Sequence, residues 1–379
     1  MSLLARLSSC ALIAAGCSAT DVPDAAVESE EHRFRVETFA EGFGVPWGLA
    51  FLPDGRLLVT EQEGLLRIVA EDGTVSEPVG GVPAVFARGQ GGLMDVALHP
   101  WYAEQGWIYL SYSEPLPGPE GSTVGHTVIA RARLRQSHLD DLEILYRVPR
   151  RFYTRHSHHF GSRILFDRAG FLYFAIGDRG QRDLAQSVEW PNGKIHRLLD
   201  DGSVPPDNPF AGQEGAVESI WSYGHRNPQG LALHPVSGQL WSAEHGPKGG
   251  DELNHIRRGL NYGWPAITYG INYDGTIISD ATHAEGMEQP ETYWVPSIAV
   301  CGIDFYTGDG FSKWRHDLLV TSLRFNRLHR LRLQGREVVH EEIVYRGKSR
   351  VRDVQTGPDG AVYLAVERPG RILRLVSLD

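Results

Sequence analysis

The feature that most constrains the fold is a repeat. A short apolar strand, a turn built on Asp-Gly or His-Pro, and a second apolar strand recur six times along the chain. The copies run from Gly48 to Val69, Asp95 to Ser113, Arg163 to Asp178, Gly230 to Gly246, Gly302 to Leu323 and Asp353 to Val376. Runs such as Leu57-Leu58-Val59 between turn residues are strand chemistry. Strand repeats at roughly 40 to 70 residues give propeller blades, not a solenoid. Radial closure then protects the sheet edges that isolated hairpins would expose. The expectation is an all-β, six-bladed β-propeller from about Arg33 to Asp379, one domain despite a chain of 379 residues. No segment predicts a long amphipathic helix. Glu114 to Thr127 and Asp183 to Ala216 are expected as long loops on one face, where a propeller places its site.

Residues 1–17 read as an export leader. Arg6 supplies the positive flank, and Cys10 to Ala15 is an apolar core too short to span a bilayer. Ala15-Gly16 before Cys17 resembles a bacterial lipobox, with Ala14 where that pattern prefers Leu. The expectation is therefore an exported, periplasmic protein, lipid-anchored to the membrane through Cys17; the alternative is an ordinary signal peptide cut nearby. Residues 18–32 are acidic and Ala/Ser-rich, as a flexible tether would be. With Cys10 and Cys17 in the leader, Cys301 stands alone in the mature domain as a small buried hydrophobe. The formal net charge of -10 speaks against nucleic acid as a partner.

Polar residues concentrate in four places. Ile220 to Pro265 holds Arg226-Asn227, the turn Glu244 to Glu252 and the corner Asn261-Tyr262-Gly263-Trp264-Pro265. Turn carbonyls and carboxylates are the oxygen ligands that Ca²⁺ prefers, and Arg grips carboxylates through a bidentate fork. The Gly-rich loop Arg88 to Leu93 carries Gln90, and on its own is as consistent with a tight turn as with a ligand loop. Arg155 to Arg163 carries His156, His158 and His159. That cluster reads as a general base at the mouth, a zinc site or a surface run. In Lys348 to Asp353, Arg350 and Arg352 share one side of a strand. They await an anion between them or form a solvated basic strand end.

In order, GQGGL, HFGSR, IGD, GHRNPQG, EHGPKGGDE, NYGWP and RVRD resemble the soluble PQQ-dependent glucose/sorbosone dehydrogenase family (PQQ, pyrroloquinoline quinone). The resemblance extends from about Val45 to Leu375 and is greatest to its bacterial aldose sugar dehydrogenase branch. It implies oxidation of an aldose at C1 to the lactone, with hydride passed to PQQ and electrons onward to a quinone or small haem protein. By resemblance His159 is the general base, Asp178 orients it, and Arg226, with Asn227 beside it, contacts the cofactor and the developing charge. Gln90 contacts PQQ, and Arg350 and Arg352 hold its carboxylates. The carbonyls of Gly246 and Pro247 hold a catalytic Ca²⁺, and Glu252 with the Tyr262 carbonyl a structural one. Three positions depart from the glucose-oxidising members. His158 stands where they carry Asp, Arg324 where they carry a cofactor-binding Lys, and His245 where a cofactor-contacting Gln occurs. Two other readings stay open: a calcium-dependent lactonase-type hydrolase and a non-catalytic propeller that binds a partner.

Overall fold

The computed structural model describes residues 26–379. The leader and Cys17 lie outside those residues. Six antiparallel sheets surround one axis. Blade 1 has three strands, Pro46–Phe51, Leu57–Glu61 and Leu65–Val69. Blade 2 is Leu93–Leu98, Trp107–Pro117, Thr123–Arg135 and His138–Arg147. Blade 3 is Ile164–Phe166, Leu172–Ile176, Lys194–Leu198 and Ile220–Tyr223. Blade 4 is Pro228–Leu233, Leu240–Glu244, Asp251–Ile256 and Thr292–Trp294. Blade 5 is Val300–Phe305, Leu318–Ser322, Arg327–Gln334 and Glu337–Arg346. Blade 6 is Val351–Thr356, Val362–Val366 and Gly370–Ser377, completed by Arg33–Phe43 from the start of the chain. Pairing of Phe34 with Ser377 and of Val36 with Leu375 closes the ring, so no blade leaves a free edge at the closure.

The hydrophobic cores lie between blades. Each of six clusters joins one blade to the next, for example Leu58, Leu66, Val96 and Leu110 across blades 1 and 2, and Val300, Val320, Ala243 and Trp241 across blades 4 and 5. A second strand therefore has both faces covered, and Leu57–Glu61, Leu172–Ile176, Leu240–Glu244, Leu318–Ser322 and Val362–Val366 are buried throughout. That accounts for their near-continuous apolar sequences, the strongest part of the repeat. The turn before several of these strands carries a glycine at positive φ: Gly55 (87°), Gly170 (87°) and Gly360 (75°), a conformation that costs other residues a steric penalty.

Three expectations change. Glu114 to Thr127 is not a long loop: Trp107–Pro117 and Thr123–Arg135 stay paired from Glu114↔His126 to Pro117↔Thr123. Leu116 and Val124 on this extended hairpin pack against Val148, Phe152 and Tyr153, a contact masked in sequence by the prolines and glycines around it. Within Asp183 to Ala216 lies a whole strand, Lys194–Leu198. Its polar letters hid it, because Lys194 is buried with Nζ donating to the carbonyls of Leu184 (3.0 Å), Ala185 (2.9 Å) and Asn192 (2.5 Å). The described part of the stretch expected as a tether, residues 26–32, is structured. Val27–Glu28 pairs with Phe34 and Arg33, and His32 Nδ1 bonds Asp379 Oδ2 at 2.8 Å, so the blade begins ahead of Arg33.

The innermost strands neighbour one another in ring order. An ion triad crosses their axis. Arg163 meets Asp95 at 3.1 Å and Asp353 at 3.0 Å, all three buried. The loops entering each blade and the loops after each second strand emerge at the same end. Gln90, His159, Arg226 and Arg350 sit on the first kind, Asp178, His245 and Arg324 on the second.

Candidate active site

His159 immediately precedes the Phe160-Gly161-Ser162 entry to blade 3 and has φ 55°, an uncommon left-handed conformation for a non-glycine. Its backbone N–H donates to Gln90 Oε1 at 2.7 Å, and its Nδ1 donates to Asp178 Oδ1 at 2.6 Å. Asp178 follows the buried second strand of blade 3, and its Oδ1 also accepts the Gly180 N–H at 2.7 Å. Its Oδ2 accepts the Trp264 indole N–H at 2.8 Å. Burial pushes this carboxyl up, but the His159 hydrogen bond, Arg226 and the Gly180 N–H outweigh it and hold Asp178 below its ordinary value. With Asp178 taking Nδ1–H, the lone pair of His159 is on Nε2. Burial first, then Arg226 and the neighbouring His158 ring, lower the His159 ring to about 4 against the pull of Asp178. At neutral pH it is an unprotonated base with 14% of its side chain exposed.

Arg226 lies at the entry to blade 4. Its backbone N–H donates to Glu244 Oε2 at 2.7 Å, and Glu244 Oε1 also holds His225 Nδ1 at 2.9 Å. Its Nη1 donates to the carbonyls of His245 (3.0 Å) and Gly246 (2.8 Å), and its guanidinium carbon is 5.3 Å from the Trp264 ring centroid. Asn227 turns inward, its Oδ1 accepting the Gly161 N–H at 3.1 Å. It joins blades 3 and 4 beneath His159. His245 is half-buried, and desolvation of its ring, with the cations Arg226 and Arg352, lowers it to about 3.

Beside these groups is a cavity of about 700 Å³ lined by Gln90, Gln229, His245, Arg324, Lys348, Arg350, Arg352, Glu367 and Arg368, among others. The charged part of its wall is five cationic side chains and one carboxylate. Arg350 precedes the strand that begins at Val351. Arg352 already has a carboxylate beside it: it is clamped on Glu367, with Nε at 2.8 Å, and stacks 5.4 Å from the Trp47 centroid. Its Nη1 is 3.7 Å from the sulfur of buried Cys301. Arg324 donates to the Ser297 carbonyl at 3.3 Å.

The wall fits a compact polyanion. His245 Nε2 in this wall is buried with no hydrogen-bond partner, a group that a ligand with acceptor oxygens would satisfy; Arg226 Nε and Asn227 Nδ2, outside the wall, are unpaired as well. For a cation the geometry is thinner. Gly246 and Pro247 offer two main-chain carbonyls, and the first is already shared with Arg226. Among the described residues there is no group of three or more His, Cys, Asp or Glu able to hold a metal. This applies equally to the His156, His158 and His159 run, where Arg179 instead holds the carbonyls of residues 156 and 158. Glu252 and Tyr262 are linked indirectly. Asn254 Nδ2 bridges Glu252 Oε2 (3.1 Å) and Glu244 Oε1 (3.2 Å), and His225 stacks 4.7 Å from the Tyr262 ring. Burial and the neighbouring Glu244 raise Glu252 to about 8, and Asn254 Oδ1 is unpaired. A hard cation there would relieve both.

Sequence reasoning noted Trp264, Arg163 and Asp353 only as letters of motifs and missed Glu244 and Glu367 as partners. A signal for the acids existed: the second strands of blades 1 and 4 end in Glu61 and Glu244, and blades 6 and 3 place Glu367 and Asp178 one and two residues beyond theirs.

Residues 43–374 match the model of the family described as Glucose / Sorbosone dehydrogenase. The chain is 42% identical over 346 residues to the aldose sugar dehydrogenase YliI of Escherichia coli strain K12, covering 90% of this chain and 92% of that one. Among solved structures, a glucose dehydrogenase superposes with a TM-score of 0.85 at 44% identity, covering 89% of this chain and 98% of the other. The PQQ-bound aldose sugar dehydrogenase of Streptomyces coelicolor superposes with a TM-score of 0.74 at 28% identity, covering 92% and 100%.

Proposed function

The chain belongs to the glucose/sorbosone dehydrogenase family, and from that premise we propose that it is a PQQ- and calcium-dependent dehydrogenase oxidising aldoses at C1 to lactones. The observation that carries this reading is the neutral His159–Asp178 pair, one hydrogen bond through Gln90 from a cavity walled by cations. When bound, PQQ supplies the two-electron oxidant that takes the C1 hydride, and Ca²⁺ adds Lewis-acid polarisation.

The protein's own part is to place and deprotonate the sugar. His159 Nε2 accepts the proton of the anomeric hydroxyl, and Asp178 fixes the ring's tautomer and stabilises the imidazolium that forms. Arg226, held on the His245 and Gly246 carbonyls, faces negative charge as it develops. Gln90 fixes the strained backbone of His159. Arg324, Arg350 and Arg352 would hold the cofactor's carboxylates, with Asn227 and His245 beside them. The Gly246 and Pro247 carbonyls would hold the catalytic Ca²⁺, and Glu252 with the Tyr262 carbonyl would hold a structural one. Electrons leave to a quinone or small haem protein. The leader places the enzyme outside the cytoplasm, anchored at Cys17. Neither a lactonase nor a binding module accounts for a cationic cavity beside an unprotonated base.

The test is dye reduction by the protein lacking residues 1–25, with PQQ, Ca²⁺ and a panel of aldoses. Turnover requiring both additions supports the reading. Tight PQQ binding without turnover on any sugar would leave the cofactor and remove the substrate class; no PQQ binding would overturn the whole.

A further inference from the structure

Of the corner Asn261 to Pro265 the mechanism above uses only the Tyr262 carbonyl, yet the rest of that turn is firmly anchored near the base. The Trp264 N–H donates to the Gly224 carbonyl at 2.9 Å, and its carbonyl accepts Gln186 Nε2 at 2.7 Å. Asn261 Nδ2 donates to Gln186 Oε1 at 2.8 Å, and Asn261 Oδ1 accepts the Gly263 N–H at 2.9 Å. These bonds carry a segment of blade 4, lying between Asp251–Ile256 and Thr292–Trp294, back onto the loops of blade 3. What they deliver there is one buried indole, 7% exposed.

That indole touches two groups of the proposed machinery. Its N–H donates to Asp178 Oδ2 at 2.8 Å, opposite the oxygen that takes His159 Nδ1 at 2.6 Å. Its ring lies 5.3 Å from the guanidinium carbon of Arg226. We propose that Trp264 is a positioning residue, its N–H fixing the rotation of the Asp178 carboxylate that aims His159, and its ring carrying Arg226.

The physical reason lies in what His159 lacks. Its backbone is held at positive φ by Gln90 alone, so the direction of its ring depends on the single bond to Asp178. A carboxylate gripped on one oxygen only can rotate about its own axis and take the imidazole with it. Trp264 and Gly180 grip opposite oxygens and remove that freedom. The indole N–H also stabilises the Asp178 anion most when His159 is neutral, because the protonated ring would otherwise compensate that charge. Losing it therefore favours the protonated ring. The charged and titratable groups around the His159 ring are Asp178, Arg226, His158 and His245, and Trp264→Phe leaves all of them in place.

The inference rests on the dehydrogenase reading for its kinetic consequence but not for its spectroscopic one. Two variants of the protein lacking residues 1–25 separate the contributions. Trp264→Phe keeps a ring under Arg226 and removes the donor. Benzothienylalanine placed at residue 264 keeps nearly the whole indole shape and removes only the N–H. With PQQ and Ca²⁺, both are expected to lower kcat by about tenfold, the scale of one buried hydrogen bond to a charged group, with KM changed less than about twofold. In cofactor-free protein with ¹³C-labelled histidine, the His159 resonance, identified by its loss in His159→Gln, is expected to titrate at higher pH in both. In an Asp178→Asn background Trp264→Phe should cost nothing further. Unchanged kcat with an unchanged His159 titration would overturn the proposal, as would losses that simply add in the double variant. A wild type that never reduces dye would overturn the dehydrogenase reading instead, and the His159 titration would still decide this one.

Discussion

The two ends of the axial channel are built from the same six innermost strands and share little else. At one end, loops carry the strand ends into the 700 Å³ cavity walled by Arg324, Lys348, Arg350, Arg352 and Arg368. At the other, the strands' own side chains line a second cavity of about 560 Å³, with Phe51, Leu98, Phe166, Leu233 and Ile303 beside Asp304. Arg163, clamped between Asp95 and Asp353, touches the second cavity, while the adjoining Arg352 and Gln229 touch the first. The contrast has a backbone origin. No residue lining the second cavity takes positive φ, whereas His159 (55°) and Ser162 (117°) at the first end do. Chemistry that needs an aimed side chain is therefore confined to that end, and the other is left with strand chemistry.

The sharpest way to break this contrast is His159→Ala. General-base action contributes about 10²–10⁴-fold, so turnover should fall on that scale while PQQ binding, followed by fluorescence quenching, is retained. A variant within tenfold of wild type would move the base elsewhere. Next comes the divider. Arg163→Met leaves Asp95 and Asp353 buried without a counter-charge, a change that costs about 3–5 kcal/mol. The midpoint of urea unfolding should drop accordingly; a shift under about 1 kcal/mol would show that the two cavities need no ionic wall.

The same contrast explains what could be read in advance. The blades were legible because their second strands are buried on both faces and spell LLVTE, LYFAI, LWSAE, LLVTS and VYLAV. Strands whose polar residues find partners only in the fold were not: Lys194 reads as a loop residue until three carbonyls surround it. At the site, motif letters located His159, Asp178 and Arg226, because local spacing fixes which loop they occupy. Pairings across blades stayed hidden, since nothing near Arg163 in the chain indicates Asp353, and nothing near Asp178 indicates Trp264.

Two pH experiments sharpen the comparison further, one at each end. His159 is held at about 4, below its unfolded value near 6.5, so the neutral base persists above about pH 4. The acid limb of kcat/KM should fall near 4, with activity flat between pH 7 and 5. A limb near 6.5 would mean a ring in water, which the burial at this end contradicts.

Asp304 gives the smallest effect and the cleanest control. Burial raises its carboxyl to about 6, although the Thr356 N–H and Oγ1 both bond Oδ2 at 2.8 Å. A carboxyl raised in the folded state contributes its full stability below the unfolded value of about 3.9 and loses it as pH rises through 6. Asp304→Asn keeps an acceptor for Thr356 and removes the charge. It should raise Tm at pH 8 by about 1–2 °C, leave Tm at pH 4 unchanged, and leave kcat unchanged throughout. A change in kcat would couple the two ends of the channel across the Arg163 divider, and the separation argued from geometry would fail.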